Sequence, residues 1–310
     1  MTTIISIIIP TKDRKVVFER TLISALQAIE GIDAEIIIIN DSKGQEIILP
    51  VNDDRIRVFN NTKGGVASAR NLGAAHAKSD LILFLDNDII IHKENILVTL
   101  GLCKQNKTGC YNLNWVYPPD LETKMKKTQF GRYLIHNGYT SLKGWNRGNL
   151  SWNDEKTFET NLVASYYLPI YKDVFEKAGK YDEAFPHSGA EDHDFANRLK
   201  KSGVKAFIVP SSMVYHNEAD RMELDKWMTR NRNVGETRRI AVGLGYDEVK
   251  LVIQLSKLRI LKICLPFLGL FNFSLKLIPN LKFFDGIYFR IMNLLLMGNL
   301  WIGYQRGENK

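Results

Sequence analysis

The stretch Ile4-Ile5-Ser6-Ile7-Ile8-Ile9-Pro10-Thr11-Lys12-Asp13-Arg14 decides the fold. An apolar run of this length, closed by a proline, is what a strand buried on both faces of a sheet requires. Helical spacing follows at once, with Phe18, Leu22, Ala25 and Ile29 on one stripe. A second apolar run at 36–39 ends in Asn40-Asp41-Ser42, and a weaker third covers 56–59. Gly64-Gly65 introduces a helix over 67–77, and a fourth strand at 81–85 runs into Asp86-Asn87-Asp88. Strands alternating with helices predict a mostly parallel, doubly wound sheet, in which ligands bind beyond the carboxyl ends of the strands. Here those ends carry Pro10-Thr11-Lys12-Asp13, Asn40-Asp41 and Asp86-Asn87-Asp88. Acids at three strand ends suit a hydroxylated, metal-associated ligand.

Beyond this half, residues 109–160 read as irregular and rich in aromatics and amides, among them Trp115, Trp145 and Trp152. Regular signals return as a strand at 162–168, helices at 172–178 and 191–201, strands at 205–209 and 213–216, and a long charged helix over 224–242. A length of 310 residues implies two domains, or one large domain with an extension. Hydrophobic content of 45% with 25% charged residues excludes a disordered chain. The net charge of +8 is unevenly placed: residues 251–310 carry eight basic and two acidic residues, and 34 of these 60 are apolar. A basic, greasy tail on a nearly neutral body points to an anionic membrane surface and away from nucleic acid. Cys103, Cys110 and Cys264 lack pairing or metal-ligand spacing, as expected of a reduced compartment, and the start of the chain lacks the pattern of a secretory leader.

Three groups of residues could do chemistry. In Asp86-Asn87-Asp88, a DXD arrangement, carboxylates at i and i+2 of an extended strand end converge on one divalent cation, although Asp and Asn also favour turns. Glu191-Asp192-His193-Asp194 opens a helix, where acids complement the dipole and where one of them could serve as a general base; Asp194 is spaced to pair with Arg198. His216 ends an apolar strand, a common structural position; beside a carboxylate-held cation it becomes a nitrogen ligand, in a mixed set that suits Mn2+ as well as Mg2+.

The order and spacing of these pieces resemble the family 2 glycosyltransferases of the GT-A fold. The resemblance rests on 7–14, Ile38-Ile39-Asn40-Asp41-Ser42, Gly65-Val66-Ala67-Ser68-Ala69-Arg70-Asn71 and Phe84-Leu85-Asp86-Asn87-Asp88. It continues through Lys180-Tyr181-Asp182-Glu183-Ala184-Phe185, Glu191-Asp192-His193-Asp194 with Arg198-Leu199, and Tyr215-His216, covering roughly 4–240. It implies a nucleotide-diphosphate sugar, a UDP-sugar first, held by Pro10, Thr11, Asp13, Arg14, Asp41, Gly65, Arg70, Asp86 and Asn87. Within that set Pro10, Thr11 and Asp13 line the base pocket, Asp41 accepts from a pyrimidine NH, and Arg70 sits beside base and ribose. Asp86 holds the ribose or, with Asp88 and His216, the cation. Asp192 is implied as catalytic base, with Glu191 shaping the sugar pocket. Two departures stand out: Asn40-Asp41-Ser42 replaces two acids and a glycine, and Gly179-Lys180-Tyr181 replaces Gly-Gly-Phe. Arg230 and Arg232 form either a diphosphate clamp or a solvated basic face. The three tryptophans either stack on acceptor sugars or pin their loop. One positioned base with in-line attack implies inversion at the anomeric carbon.

The expected organisation is therefore an α/β GT-A domain over 1–245, with a nucleotide-sugar half (1–108) and an acceptor half (109–245), followed by a helical, membrane-associating extension (246–310). Its charge-free runs at 263–275 and 291–305 span 13 and 15 residues. Both are shorter than the ~20 needed to cross a bilayer, so the tail is expected to lie on the membrane or, alternatively, to build a homo-oligomer. The acceptor implied by such a tail is a lipid-linked oligosaccharide or lipopolysaccharide precursor, with the enzyme attached peripherally at the cytoplasmic, inner face of the cell membrane. The competing readings are a polyprenyl-phosphate sugar synthase and a non-catalytic sugar-nucleotide binder or scaffold.

Overall fold

The computed structural model describes residues 3–42, 44–146, 152–185 and 187–307. The apolar runs of the first ninety residues become strands: β1 (Ile5–Thr11), α1 (Lys15–Ala28), β2 (Ala34–Asn40), β3 (Ile56–Asn60), α2 (Val66–His76), β4 (Leu81–Leu85) and β5 (Ile89–Ile90). Then come α3 (Lys93–Gln105), β6 (Cys110–Val116), α4 (Pro119–Lys126), α5 (Gln129–His136), α6 (Leu142–Trp145), β7 (Phe158–Thr160), β8 (Tyr167–Tyr171) and α7 (Lys172–Lys177). The chain finishes with α8 (Glu191–Lys201), β9 (Ala206–His216), α9 (Leu224–Gly243), α10 (Leu255–Cys264), α11 (Leu268–Leu277) and α12 (Asp285–Arg306).

Contacts divide the chain into two units. The first comprises Met1–Pro118, Ser141–Pro186 and Glu191–Glu218. Its main sheet has the order β3-β2-β1-β4-β8, with only β8 antiparallel. Every residue of β1, β2 and β4 is buried, as strands covered on both faces must be. Gly73 lets α2 approach the sheet closely, since a Cβ there would collide with Ile8. A second sheet runs β5-β9-β6, with β7 added on β9.

Three expectations need correction. Residues 109–160 are not irregular, for they contain β6, α4, α5, α6 and β7. Asn112 and Asn114 hide β6 by interrupting its apolar run, yet both are buried, and the Asn112 amide donates to the carbonyls of Ala164 (2.6 Å) and Tyr167 (2.8 Å). The strand expected at 162–168 is β8, at 167–171; it tolerates Pro169 because it is an edge strand. The strands expected at 205–209 and 213–216 are one, β9, whose register against β6 shifts between Leu113 and Asn114, beside Pro210.

The second unit is helical: Pro119–Thr140, His187–Ala190 and Ala219–Lys310. Helices α9 and α12 pack backbone to backbone, because a Cβ at Gly235 would strike the Leu300 carbonyl and one at Gly303 the Arg232 carbonyl. Arg132 binds both oxygens of Asp285 (2.7 and 2.6 Å), tying α5 to α12. Leu261, Leu268 and Leu275, spaced seven apart, are the buried line of α10 and α11, which pack on α12. The two helices join through a 3-10 turn at Leu265–Phe267, giving a 23-residue stretch, Leu255–Leu277, long and apolar enough by length and composition to cross a membrane. The stretch runs through Lys257, Arg259 and Lys262 and so extends beyond the charge-free run at 263–275; Pro266 sits at the start of the turn, where its missing N–H interrupts nothing.

Candidate active site

Strand β4 stops at Leu85, and the chain turns, with the Ile89 amide donating to the Asp86 carbonyl (3.1 Å). That turn sends Asp86 and Asp88 to different partners. The backbone here is bent where an extended strand end was expected, and Asp86 faces Arg70 while Asp88 faces Arg14 and His216. Asp88, buried at 2% exposure, takes Arg14 on Oδ2 (2.6 Å) and presents Oδ1 to His216 Nε2 (3.3 Å). The third member of this cluster is Glu218, whose Oε1 lies 3.7 Å from His216 Nε2 while Oε2 accepts from the Tyr117 hydroxyl (2.6 Å). Ligand atoms of Asp88, His216 and Glu218 lie within 4.8 Å of one another, and all three residues are buried. Two carboxylates and an imidazole in one buried pocket match the preference of Mn2+ or Mg2+ for hard oxygens with at most a borderline nitrogen. The donor set fits the expected cation. The site is held from several sides: Asn217 N donates to the Asp88 carbonyl (2.7 Å), Asn87 Nδ2 to Thr11 Oγ1 (2.8 Å), and Trp115 meets the His216 ring edge-on at 5.0 Å.

Asp86 belongs instead to a cluster around Arg70. This arginine, expected beside base and ribose, is 2% exposed and lies 3.0 Å from Asp86, 3.2 Å from Glu191 and 3.7 Å from Asp192, over the Tyr181 ring. A guanidinium taken out of water requires such acids, and they hold its pKa above the ordinary arginine range despite burial. Asp192 opens α8 and is fixed by Ser165, whose amide donates to Oδ2 (3.1 Å) and whose hydroxyl donates to Oδ1. The Ser165 hydroxyl in turn meets the Tyr181 hydroxyl at 2.6 Å. Desolvation raises the Asp192 pKa above the ordinary value, with the Arg70 charge and the Ser165 hydrogen bonds opposing it. An oriented carboxylate with raised basicity is suited to receive a proton. Asp194 pairs with Arg198 at 2.5 Å and is structural.

At the β1 end a cavity of about 320 Å3 is lined by Thr11, Asp13, Arg14, Ser42, Gln45 and Glu46. Asp13 takes a left-handed conformation (φ 51°), its amide donating to Ser42 Oγ (3.0 Å). Pro10 is buried in β1. Asp41 accepts from Asn61 Nδ2 (2.6 Å) and Gly65 N (3.0 Å), so it secures the loop before α2, where Gly65 has φ 97°. Arg230 and Arg232 belong to the helical unit. There Arg232 Nε donates to Asn299 Oδ1 (2.5 Å), and Arg230 lies over Trp227, beside a cavity of about 410 Å3 that both line. Trp115 is buried, Trp145 is 54% exposed, and Trp152 Nε1 bonds Asp154 (2.8 Å).

Sequence reading missed Glu218, Tyr117 and Ser165. Glu218 follows His216 by two residues, a spacing that could have flagged it; nothing local marks Ser165 or Tyr117.

Residues 6–175 match the family model "Glycosyl transferase family 2", and the chain belongs to that family. An uncharacterized glycosyltransferase from Haemophilus influenzae is 32% identical over 63% of this chain and 61% of its own length. A chondroitin synthase from Pasteurella multocida is 25% identical over 69% of this chain but only 25% of its own. The chain thus matches less than two thirds of the length of either relative. A mannosyltransferase from Pyrobaculum calidifontis, solved in complex with GDP-Man and Mn2+, superposes with a TM-score of 0.51 at 10% identity, over 96% of this chain and 87% of that one. The fold is of the GT-A type.

Proposed function

We propose that the chain is an inverting, metal-dependent glycosyltransferase that moves a sugar from a nucleotide diphosphate, a UDP-sugar first, to a glycan hydroxyl. The observation that carries this reading is the turn after β4, which feeds two acid clusters at one sheet edge: Asp88 with His216 and Glu218, and Asp86 with Arg70 and Asp192. In this reading Asp88, His216 and Glu218 hold Mn2+ or Mg2+, which when bound offsets the charge developing on the leaving diphosphate. The Asp192 carboxylate, oriented by Ser165, takes the acceptor hydroxyl proton as the acceptor oxygen bonds C1 and the C1–phosphate oxygen bond breaks on the opposite face. Arg70 keeps Asp86, Glu191 and Asp192 in register. Thr11, Asp13 and the cavity beside them receive the base, with Pro10, Arg14, Asp41, Gly65 and Asn87 shaping that edge. The acceptor is a lipid-linked oligosaccharide or lipopolysaccharide precursor at the inner membrane face.

The Pyrobaculum mannosyltransferase supports the choice of a nucleotide-sugar donor with Mn2+. A panel of UDP-, GDP- and dTDP-sugars, assayed for nucleotide release with Mn2+, Mg2+ or EDTA, tests the reading. Release from at least one donor, abolished by EDTA, is expected; no release from any donor contradicts it in favour of a non-catalytic binder.

A further inference from the structure

The buried leucine line of α10 and α11 leaves their other side outward, and that side is apolar too. Ile260, Ile263, Phe267, Leu270, Phe273 and Leu277 are 53–69% exposed, and they recur every three or four residues, the spacing of one helix face. Beyond them Leu281 and Phe283 are 60% and 88% exposed. Basic residues bracket the stripe: Lys257, Arg259 and Lys262 before it, Lys276 and Lys282 at and after its end, all exposed. Soluble surfaces rarely leave so many large apolar side chains in water, and lysines and arginines at the margins select an anionic partner.

We infer that this face docks on an anionic lipid bilayer, with the helices lying in the interface. The leucine line packed on α12 argues against a span, since a spanning helix would have to give up that contact or draw α12 into the bilayer with it. The inference is independent of the transfer reading. The full chain should co-sediment with vesicles of phosphatidylcholine containing 30% phosphatidylglycerol at least about tenfold more strongly than with phosphatidylcholine alone. The double variant Phe267→Asp/Leu270→Asp, placed on exposed positions and checked by thermal melting, should lose about tenfold of that binding. Lys257→Gln/Arg259→Gln/Lys262→Gln should lose its salt-sensitive part. Equal binding by wild type and the Asp variant would overturn the inference. So would a lipid-independent dimer that the Asp variant dissolves, or resistance of the wild type to alkaline carbonate extraction, which marks a span.

A second inference comes from Arg14, and it rests on the metal reading above. The Arg14 side chain is 11% exposed and donates to Asp88 Oδ2 (2.6 Å) and Asn87 Oδ1 (3.0 Å). A partly buried guanidinium thus already neutralises one of the two acids that the cation would use. With Asp88 offset by Arg14, a lone dication meets a weaker field than Asp88 and Glu218 together would give, and a diphosphate restores the missing negative charge. The geometry points to Arg14 as a resident counter-ion that makes cation binding depend on the donor's diphosphate.

Titrating the full chain with Mn2+, and reading free Mn2+ by electron paramagnetic resonance, tests this without turnover. UDP should strengthen wild-type Mn2+ binding by about tenfold or more. Arg14→Gln should bind Mn2+ alone about tenfold more tightly and lose most of the UDP coupling, while Arg14→Lys should stay near wild type. A wild type that binds Mn2+ equally with and without UDP, or an Arg14→Gln chain no tighter than wild type, overturns the role of Arg14 alone. No Mn2+ binding by any of the three chains, even with UDP, overturns the metal reading itself.

Discussion

The sheet unit and the helical unit treat charge in opposite ways. At the sheet edge the acids are buried against named counter-charges: Asp88 on Arg14, Glu191 on Arg70, Asp194 on Arg198. Along α10 and α11 the basic residues stand in water beside exposed Ile263, Phe267 and Leu270. Burying charge is unfavourable unless the partner geometry is good, and each of these acids has a close counter-charge. Exposing large apolar side chains is equally unfavourable unless something covers them. In the reading proposed above, one surface binds small charged ligands and the other meets an extended apolar boundary.

The largest effect expected on ligand binding is at the cluster of Asp88, His216 and Glu218. His216→Ala or Glu218→Gln should weaken Mn2+ binding by about 10–100-fold, measured by calorimetry in the presence of UDP. Unchanged affinity in both would show that the cation, if bound, sits elsewhere.

Next in size is a pH effect. Because burial raises the Asp192 pKa, the acid limb of kcat/KM should lie above the ordinary aspartate range, activity rising with pH as Asp192 loses its proton. The Arg70 charge opposes that rise, so Arg70→Gln should move the limb further toward neutral pH, together with any loss of rate. A limb that stays in place, or moves to lower pH, breaks the assignment.

The smallest effect belongs to the helical unit. Arg132 holds the Asp285 pKa below its ordinary value. This ion pair therefore contributes stability above the unfolded aspartate pKa, and loses it as pH falls through the folded one. Arg132→Met should lower the melting temperature by a few degrees at pH 7, about 1–2 kcal/mol for a partly buried bidentate pair, with the difference closing in acid. Calorimetric melts at both pH values check it, and a difference that persists in acid would show that packing, not charge, is responsible.

Much of this was legible in the residues. Runs as apolar as 4–9 and 81–85 have one low-energy use, a strand covered on both faces, so β1 and β4 appear where expected. The strand ends, and with them Thr11, Asp41, Asp86 and Asp88, follow from the same reading. What escaped depends on partners distant in the chain. Asn112 looks like a loop residue until the carbonyls of Ala164 and Tyr167 satisfy it. Ser165 orients Asp192 across 27 positions, and Tyr117 reaches Glu218 across 101. The turn between Asp86 and Ile89, closed by the Ile89 amide on the Asp86 carbonyl, is something no periodicity reveals.

The central claim is that Asp192 is the base of a sugar transfer served by the Asp88 cluster. The most direct test is the transfer rate of Asp192→Asn, with donor affinity measured on the same preparation. The account predicts a rate lower by about 10^2–10^4 with donor affinity within about threefold of wild type. Near-normal transfer by Asp192→Asn, alongside its loss in Asp88→Asn, would contradict it.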